Sequence, residues 1–154
     1  MKKIVPVAIA IIYNKKTNKY LMTQRKEIDR DDVDYGHCWN FPGGGIQWGE
    51  DPKVALTREI NEELNVEINI LTLIPRIFSP IRNNWHGLLI CYLCEMKDID
   101  APIVLNHESM DHGWFSLEEI KKLKTLPLAY DVAIEAERCA RGGSRTLTTC
   151  VTRF

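Results

Sequence analysis

Three glutamates, Glu59, Glu62 and Glu63, stand three and four residues apart in the stretch TREINEELNV. At about 100° per residue they share one helical face, beside a stripe formed by Leu56, Ile60 and Leu64. Like charges at this spacing repel by a few tenths of a kcal/mol per pair, and only Arg58 stands near enough to offset them. A divalent cation turns that repulsion into attraction, because hard ions such as Mg²⁺ or Mn²⁺ prefer carboxylate oxygen. The plainer alternative is a solvated acidic face. Just upstream, Pro42-Gly43-Gly44-Gly45 carries no side chain that would keep a ligand from the backbone, so its N–H and C=O groups can face a phosphate or a metal. Alone, a glycine triplet is an ordinary turn. Together, a phosphate-accepting loop and a carboxylate-rich helix point to metal-bridged phosphate chemistry.

The elements that must position these groups are legible around them. Asp51 can cap the helix and Pro52 suits its first position, while Asn65, which tolerates a left-handed backbone, should end it. Residues 5–13 read as a buried strand, 14–18 as a turn and 19–26 as a second strand, giving a hairpin. Residues 27–37 (EIDRDDVDYGH) have neither helical nor strand period and read as a solvated loop, or as a flap over a ligand. Residues 66–78 and 85–96 suit two long strands, with Pro75 arguing for an edge position or a bulge in the first. Trp114-Phe115 closes a short strand, Ser116 caps a helix through Leu123, and Pro127 opens a last helix to about Ala140.

The chain has 154 residues, about one domain; the expectation is a single domain over residues 1–140 and a C-terminal tail of uncertain structure over 141–154. Twenty Lys+Arg against 21 Asp+Glu leaves a net charge of -1, without the basic excess that drives non-specific nucleic-acid binding. The longest apolar run, residues 4–13, is too short to span a bilayer. It imitates the h-region of a secretory signal, yet it is β-branched and lacks a convincing cleavage site, so it reads as a first strand. Five cysteines, an odd number, fit free thiols in a reducing cytoplasm. Cys91-x-x-Cys94 suggests zinc with His86, His107 and His112 as helpers. On a strand, however, residues three apart point to opposite faces, so two separate thiols are the better account. Trp39, Trp48, Phe78 and Trp85 could stack on a base or fill the core. The polar segment RNNWHG places Arg82 and Trp85 as candidate ligand contacts.

The spacing Gly44, Glu50, Arg58-Glu59, Glu62-Glu63, with Ile60 and Val66, resembles the box of the Nudix hydrolases over residues 44–66. One fixed position departs: Asn65 stands for the last Gly, and it tolerates the same backbone. Trp39-Asn40-Phe41-Pro42-Gly43-Gly44 is similar to the family's lead-in, residues 21–25 to its second strand, and Glu108 with the segment 114–119 to its usual ending. The resemblance implies an α/β fold, a Nudix-type α/β/α sandwich with a mixed β-sheet and a loop-helix-loop catalytic motif. It implies Mg²⁺ or Mn²⁺ held by Glu59, Glu62, Glu63 and the Gly43 carbonyl, with either Glu59 or Glu108 as general base. Arg58 and Glu50 are expected to hold loop and helix in register, and Arg25, Gly44, Arg82 and Trp85 to contact substrate.

The implied activity is metal-dependent pyrophosphohydrolysis of a nucleoside polyphosphate (NTP or dNTP-like) or another nucleoside diphosphate linked to a group X, by water attack on phosphorus. The alternatives are an ADP-ribose or nucleotide-sugar pyrophosphatase, faintly suggested by Pro80, and a non-catalytic nucleotide-sensing domain. Removal of a 5′ pyrophosphate from RNA would need a basic groove that the charge balance does not suggest. The expected partner is a small nucleotide, with no membrane and no stable nucleic-acid binding; a homodimer stays open. Specificity is expected in residues 27–37, in 77–86 and in the final helix.

Overall fold

The computed structural model describes residues 2–26 and 35–142. Its spine is β1 (Lys3–Asn14), the predicted first strand. β1 pairs in parallel with β7 (Trp85–Met96) over ten registered residues, from Lys3 opposite Trp85 to Ile12 opposite Cys94. Covered on both faces, such a strand reads as a continuous apolar run rather than an alternating one. Ala8, Ala10 and Ile12 face one core cluster and Ile11 the other, with Ile9 packed against that second one.

The hairpin exists only at its tip, where Tyr13 pairs Tyr20 and Asn14 pairs Lys19; β2 (Lys19–Arg25) then diverges to carry β3 (Trp39–Asn40) and β8 (Ser109–Phe115). On its inner part β1 also receives the short antiparallel β4 (Gly43–Gly45), with Val7, Ala8 and Ile9 opposite Gly45, Gly44 and Gly43. β5 (Ile68–Leu73) and β6 (Ile81–Arg82) pair antiparallel with β7. The sheet is therefore mixed, as expected. Residues 66–78 form a shorter strand than predicted. β5 is the edge strand, its register slips between Ile70 and Thr72, and it stops before Pro75, which has no N–H to continue a ladder.

Helices cover both faces. α1 (Pro52–Leu64) buries Ala55, Leu56, Ile60 and Leu64 against Ala8, Ala10, Tyr92 and Cys94. Each fully buried Leu or Ile contributes about 1.5–3 kcal/mol. α2 (Leu117–Ile120) is shorter than predicted but carries a full capping box between Ser116 and Glu119. α3 (Ala129–Ala140) packs Val132, Ala133 and Ala136 on the other face, with Ile11, Phe78 and Leu93. It starts two residues after Pro127, because Leu128 adopts a left-handed conformation with φ 67°. Cys91 and Cys94 fall in different core clusters on the two sides of the sheet, so their thiols do diverge. No helix among the described residues is long and apolar enough to cross a membrane.

Both predicted caps of α1 are present. The Asp51 carboxylate accepts from the Lys53 N–H at 2.9 Å, and Asn65 sits at φ 53°, ψ 39°. At that φ a side chain with a Cβ is strained, so Asn65→Gly should raise stability modestly, by a few tenths to about 1 kcal/mol, whereas Asn65→Ala should lower it. Chemical denaturation of the three proteins at a common pH measures the order.

Candidate active site

The end of α1 and the strand β4 are fitted to each other through glycine. Gly43 has φ 147°, and a Cβ there would collide with the backbone carbonyl of Ala8 on β1. A Cβ on Gly44 would overlap the Glu59 carboxyl group. The glycines thus let the strand lie flat on β1 while α1 lays its carboxylates against the strand's outer edge.

Burial grades sharply across the three helix glutamates. Glu63 is buried, the Glu59 side chain is 15% exposed and that of Glu62 is 55% exposed. Glu63 accepts a long hydrogen bond from the Gly43 N–H at 3.4 Å. Burial pushes its carboxyl up to about 8, reinforced by the negative charges of Glu108 and Glu59 and opposed by the Gly43 N–H and the Arg25 guanidinium. Glu108 therefore lies close enough to feel Glu63 although the two are far apart in sequence. The Lys26 N–H donates to the Glu108 carbonyl at 2.9 Å, which ties the end of β2 to the segment entering β8.

Arg58 organises the remainder. Its Nε donates to Glu50 Oε1 at 2.8 Å and its Nη2 to Glu50 Oε2 at 3.0 Å, a bidentate pair across loop and helix. That guanidinium holds the Glu50 carboxyl near 2, well below the usual range, helped by the Gln47 N–H at 2.9 Å. Nη2 also reaches the Gly45 carbonyl at 3.2 Å, so helix, loop and β4 share one cation. The structure adds a contact not foreseen in the sequence. Arg58 Nη1 lies 2.7 Å from Glu59 Oε1, closer than the 3.4 Å to Glu62 Oε2.

Among the described residues, no three carboxylate, histidine or cysteine groups converge tightly enough to mark a metal site, and Glu59 and Glu62 both contact Arg58. The donor set nonetheless suits a hard divalent cation. It is all oxygen, and the proton that burial, reinforced by the neighbouring acids, favours on Glu63 is what such an ion would displace.

Beyond β4 lies a cleft of about 230 Å³. Its floor is the face of β1 that shows Val5, Val7 and Ile9, and its walls include Phe41, Leu89, Pro127 and Val132. The polar groups along it are Arg25, Asn40, Arg82 and the backbone of β4. Of the predicted substrate contacts, Arg25, Gly44, Arg82 and Trp85 all line this one cleft. The Arg82 guanidinium rests over the Trp85 ring at 4.4 Å and over Tyr35 at 5.6 Å. Trp48 instead is fully exposed and Phe78 is core, whereas Trp39 packs edge-on to Phe115. Asn40 was not singled out by sequence. Its Nδ2 donates to the Phe41 carbonyl at 3.1 Å, and its buried Oδ1 has no hydrogen-bond partner. Residues 27–34, the larger part of the predicted flap, and 143–154 of the predicted tail lie outside the described residues.

Comparison with known proteins finds relatives in sequence and in fold. A mouse bis(5'-nucleosyl)-tetraphosphatase (asymmetrical) is 31% identical over 90 residues, 56% of this chain and 61% of that protein. An 8-oxo-dGTP diphosphatase of Haemophilus influenzae is 43% identical over 65 residues, 42% of this chain and 44% of that one. The chain thus spans less than two thirds of the length of these curated relatives. In fold, it is similar to the MutT protein of Methanosarcina mazei (TM-score 0.74, 24% identity, 94% of this chain and 98% of that one). A Caenorhabditis elegans Ap4A hydrolase gives the same TM-score of 0.74 at 21% identity, over 90% of this chain and 98% of that one. The NUDIX domain model matches residues 3–135, nearly the whole sheet and its helices, so the chain belongs to the NUDIX domain family.

Proposed function

We propose that the protein is a metal-dependent pyrophosphohydrolase of nucleoside polyphosphates, cleaving a phosphoanhydride by attack of water on phosphorus. The observation that carries this reading is the buried Glu63 carboxyl, kept company by Glu59 and Glu108 at the glycine edge of a cleft that also presents two arginines. Both curated relatives described above bear names of nucleotide phosphatases, which supports the reading. Glu59, Glu62 and Glu63, with the Gly43 carbonyl, would hold Mg²⁺ or Mn²⁺. When bound, the ions would neutralise phosphate oxygens, align the attack and make water more acidic.

The chain's own groups supply the remainder. Arg25 meets phosphate charge at the end of β2, while the apolar floor of Val5, Val7 and Ile9 takes an uncharged part of the substrate and excludes water there. Glu59 is engaged by Arg58, whereas the exposed Glu108 carboxylate makes no hydrogen bond or ion pair among the described residues. Glu108 is therefore the group we assign to accept the proton of the attacking water. Glu108→Gln should lower kcat about 100-fold or more with little change in KM, read from steady-state kinetics. An unchanged kcat would return the role to Glu59.

Protonation gives a second check. The carboxyl of Glu63 keeps its proton to about pH 8 in the folded chain, whereas an unfolded glutamate loses it near 4.5. Between those values the native state binds more protons, so stability without metal should fall as pH rises from about 5 to 8 and level off above. Metal binding requires the deprotonated form, so added Mg²⁺ should raise the melting temperature more at pH 8 than at pH 6. Melting curves with and without Mg²⁺ at several pH values check both slopes, and Glu63→Gln should flatten them.

The direct test is a substrate panel with Mg²⁺: NTPs, dNTPs, dinucleoside polyphosphates, ADP-ribose and nucleotide sugars, each assayed for released phosphate after phosphatase or pyrophosphatase treatment. Turnover of a nucleoside polyphosphate at the highest kcat/KM supports the reading. Faster turnover of ADP-ribose or a sugar nucleotide replaces its substrate class, and tight binding without turnover makes the chain a nucleotide sensor.

A further inference from the structure

Strand β5 borders the sheet with its outer side open. It is last in the order β2-β1-β7-β5, and among the described residues no strand pairs with that side. Its sequence, INILTL, has neither the charges nor the prolines that commonly keep open edges apart. The register slip after Ile70 disturbs its pairing with β7 but puts no charge in the way of a newcomer. Leu71 and Leu73 are 50% and 51% exposed. An uncharged edge that shows leucine to water is a template for a further strand.

The chain itself carries a segment of the right kind. Residues 146–152 read TLTTCVT, five of the seven β-branched, which suits extended backbone. Residues 143–154 hold two arginines and no acid, whereas the exposed Glu67 and Glu95 flank the start of β5.

The place where that segment leaves the fold also suits the edge. Glu137, Cys139 and Arg141, on the last turn of α3, lie close enough to Tyr20 on β2 to act on its hydroxyl. Tyr20 pairs with Tyr13, one residue beyond the row Ile12, Cys94 and Ile70. The chain therefore leaves α3 level with Asn69. A strand beyond β5 stands four spacings from β2, about 19 Å, and one helix layer below α3, about 10 Å. The path is about 21 Å. Seven extended steps from Arg141 to Thr148 cover about 23 Å, so residues 148–152 arrive beside residues 69–73.

We propose that residues 148–152 of the same chain add to β5 as a further parallel strand, closing that edge of the sheet. The pairing gives partners to the outward N–H and C=O groups of residues 69–73 and brings Leu147 and Val151 near Leu71 and Leu73. It is independent of the hydrolase reading and of the cleft. The rival occupant of the edge is a second copy of the chain.

Hydrogen exchange of the full chain, followed by mass spectrometry, reads the edge directly. The peptide carrying residues 69–73 should exchange about tenfold or more slowly than in Leu147→Asp/Val151→Asp, whose charges oppose entry beside apolar side chains. That protection should not change with protein concentration. A second readout uses Cys139→Ser, which removes the half-exposed thiol on α3. In that background a short bismaleimide should join Cys150 to Leu71→Cys within one chain about tenfold faster than to Lys53→Cys on α1. Equal exchange in parent and double variant, or equal coupling at the two positions, overturns the proposal. Protection that grows with concentration, or coupling between chains, overturns it in favour of a second copy on β5. Should the double variant unfold, the coupling experiment decides alone.

Discussion

Glu63→Gln is expected to reduce Mg²⁺-dependent turnover at least a thousandfold, equivalent to about 4 kcal/mol of transition-state stabilisation. The substitution is nearly isosteric, and the protein should not unfold. Glutamine keeps an oxygen to accept from the Gly43 N–H, and it removes a charge that burial and two neighbouring acids already disfavour. Stability without metal at pH 8 should therefore stay level or rise, while the stabilisation by Mg²⁺ shrinks. Steady-state rates paired with melting curves separate the two effects. A near-normal rate would show that the reacting groups lie elsewhere; an unfolded protein would show that Glu63 is structural.

Gly44→Ala is the second large expectation. The added methyl would occupy the space of the Glu59 carboxyl group, and Glu59 cannot swing far without breaking its 2.7 Å contact with Arg58. Arg58 is in turn clamped on Glu50 and on the Gly45 carbonyl, so the displacement spreads through the loop. A loss of about a hundredfold in kcat/KM follows if ligand placement shifts by an ångström. Alanine at Gly45, where a Cβ would meet nothing within 4 Å, is the matched control and should cost little. Equal effects at the two positions would mean that the loop responds to any side chain rather than to the crowding of Glu59.

Much of this site could be read from the sequence because its geometry is local. Glu59, Glu62, Glu63 and Arg58 lie within six residues on one helix, so their shared face follows from helical period, and both caps of α1 follow from residue chemistry. Strand β1 and the divergence of Cys91 from Cys94 were equally accessible, since alternation is a property of the strand itself. What escaped was set by pairing between distant segments. Nothing in the order of residues says that Val5, Val7 and Ile9 form a cleft floor facing Pro127 and Val132, and Glu108 was brought to the site only by the family resemblance. The length of β5 was overread because residues 66–78 are rich in apolar and β-branched side chains on both sides of Pro75. The bulge after Ile70 and the missing N–H of Pro75 end the ladder early. The closest pairing of Arg58 depended on side-chain reach, which spacing alone leaves undecided between Glu59 and Glu62.

The alternation along β1 has an evolutionary reading. Val5, Val7 and Ile9 look into the cleft, whereas Ala8 and Ala10 look toward the helix that bears the carboxylates. Selection can thus re-cut the ligand surface at every second position of one strand without disturbing the hydrolytic apparatus mounted on its reverse. A library randomised at positions 5, 7 and 9 alone should yield altered nucleotide preference with metal affinity intact.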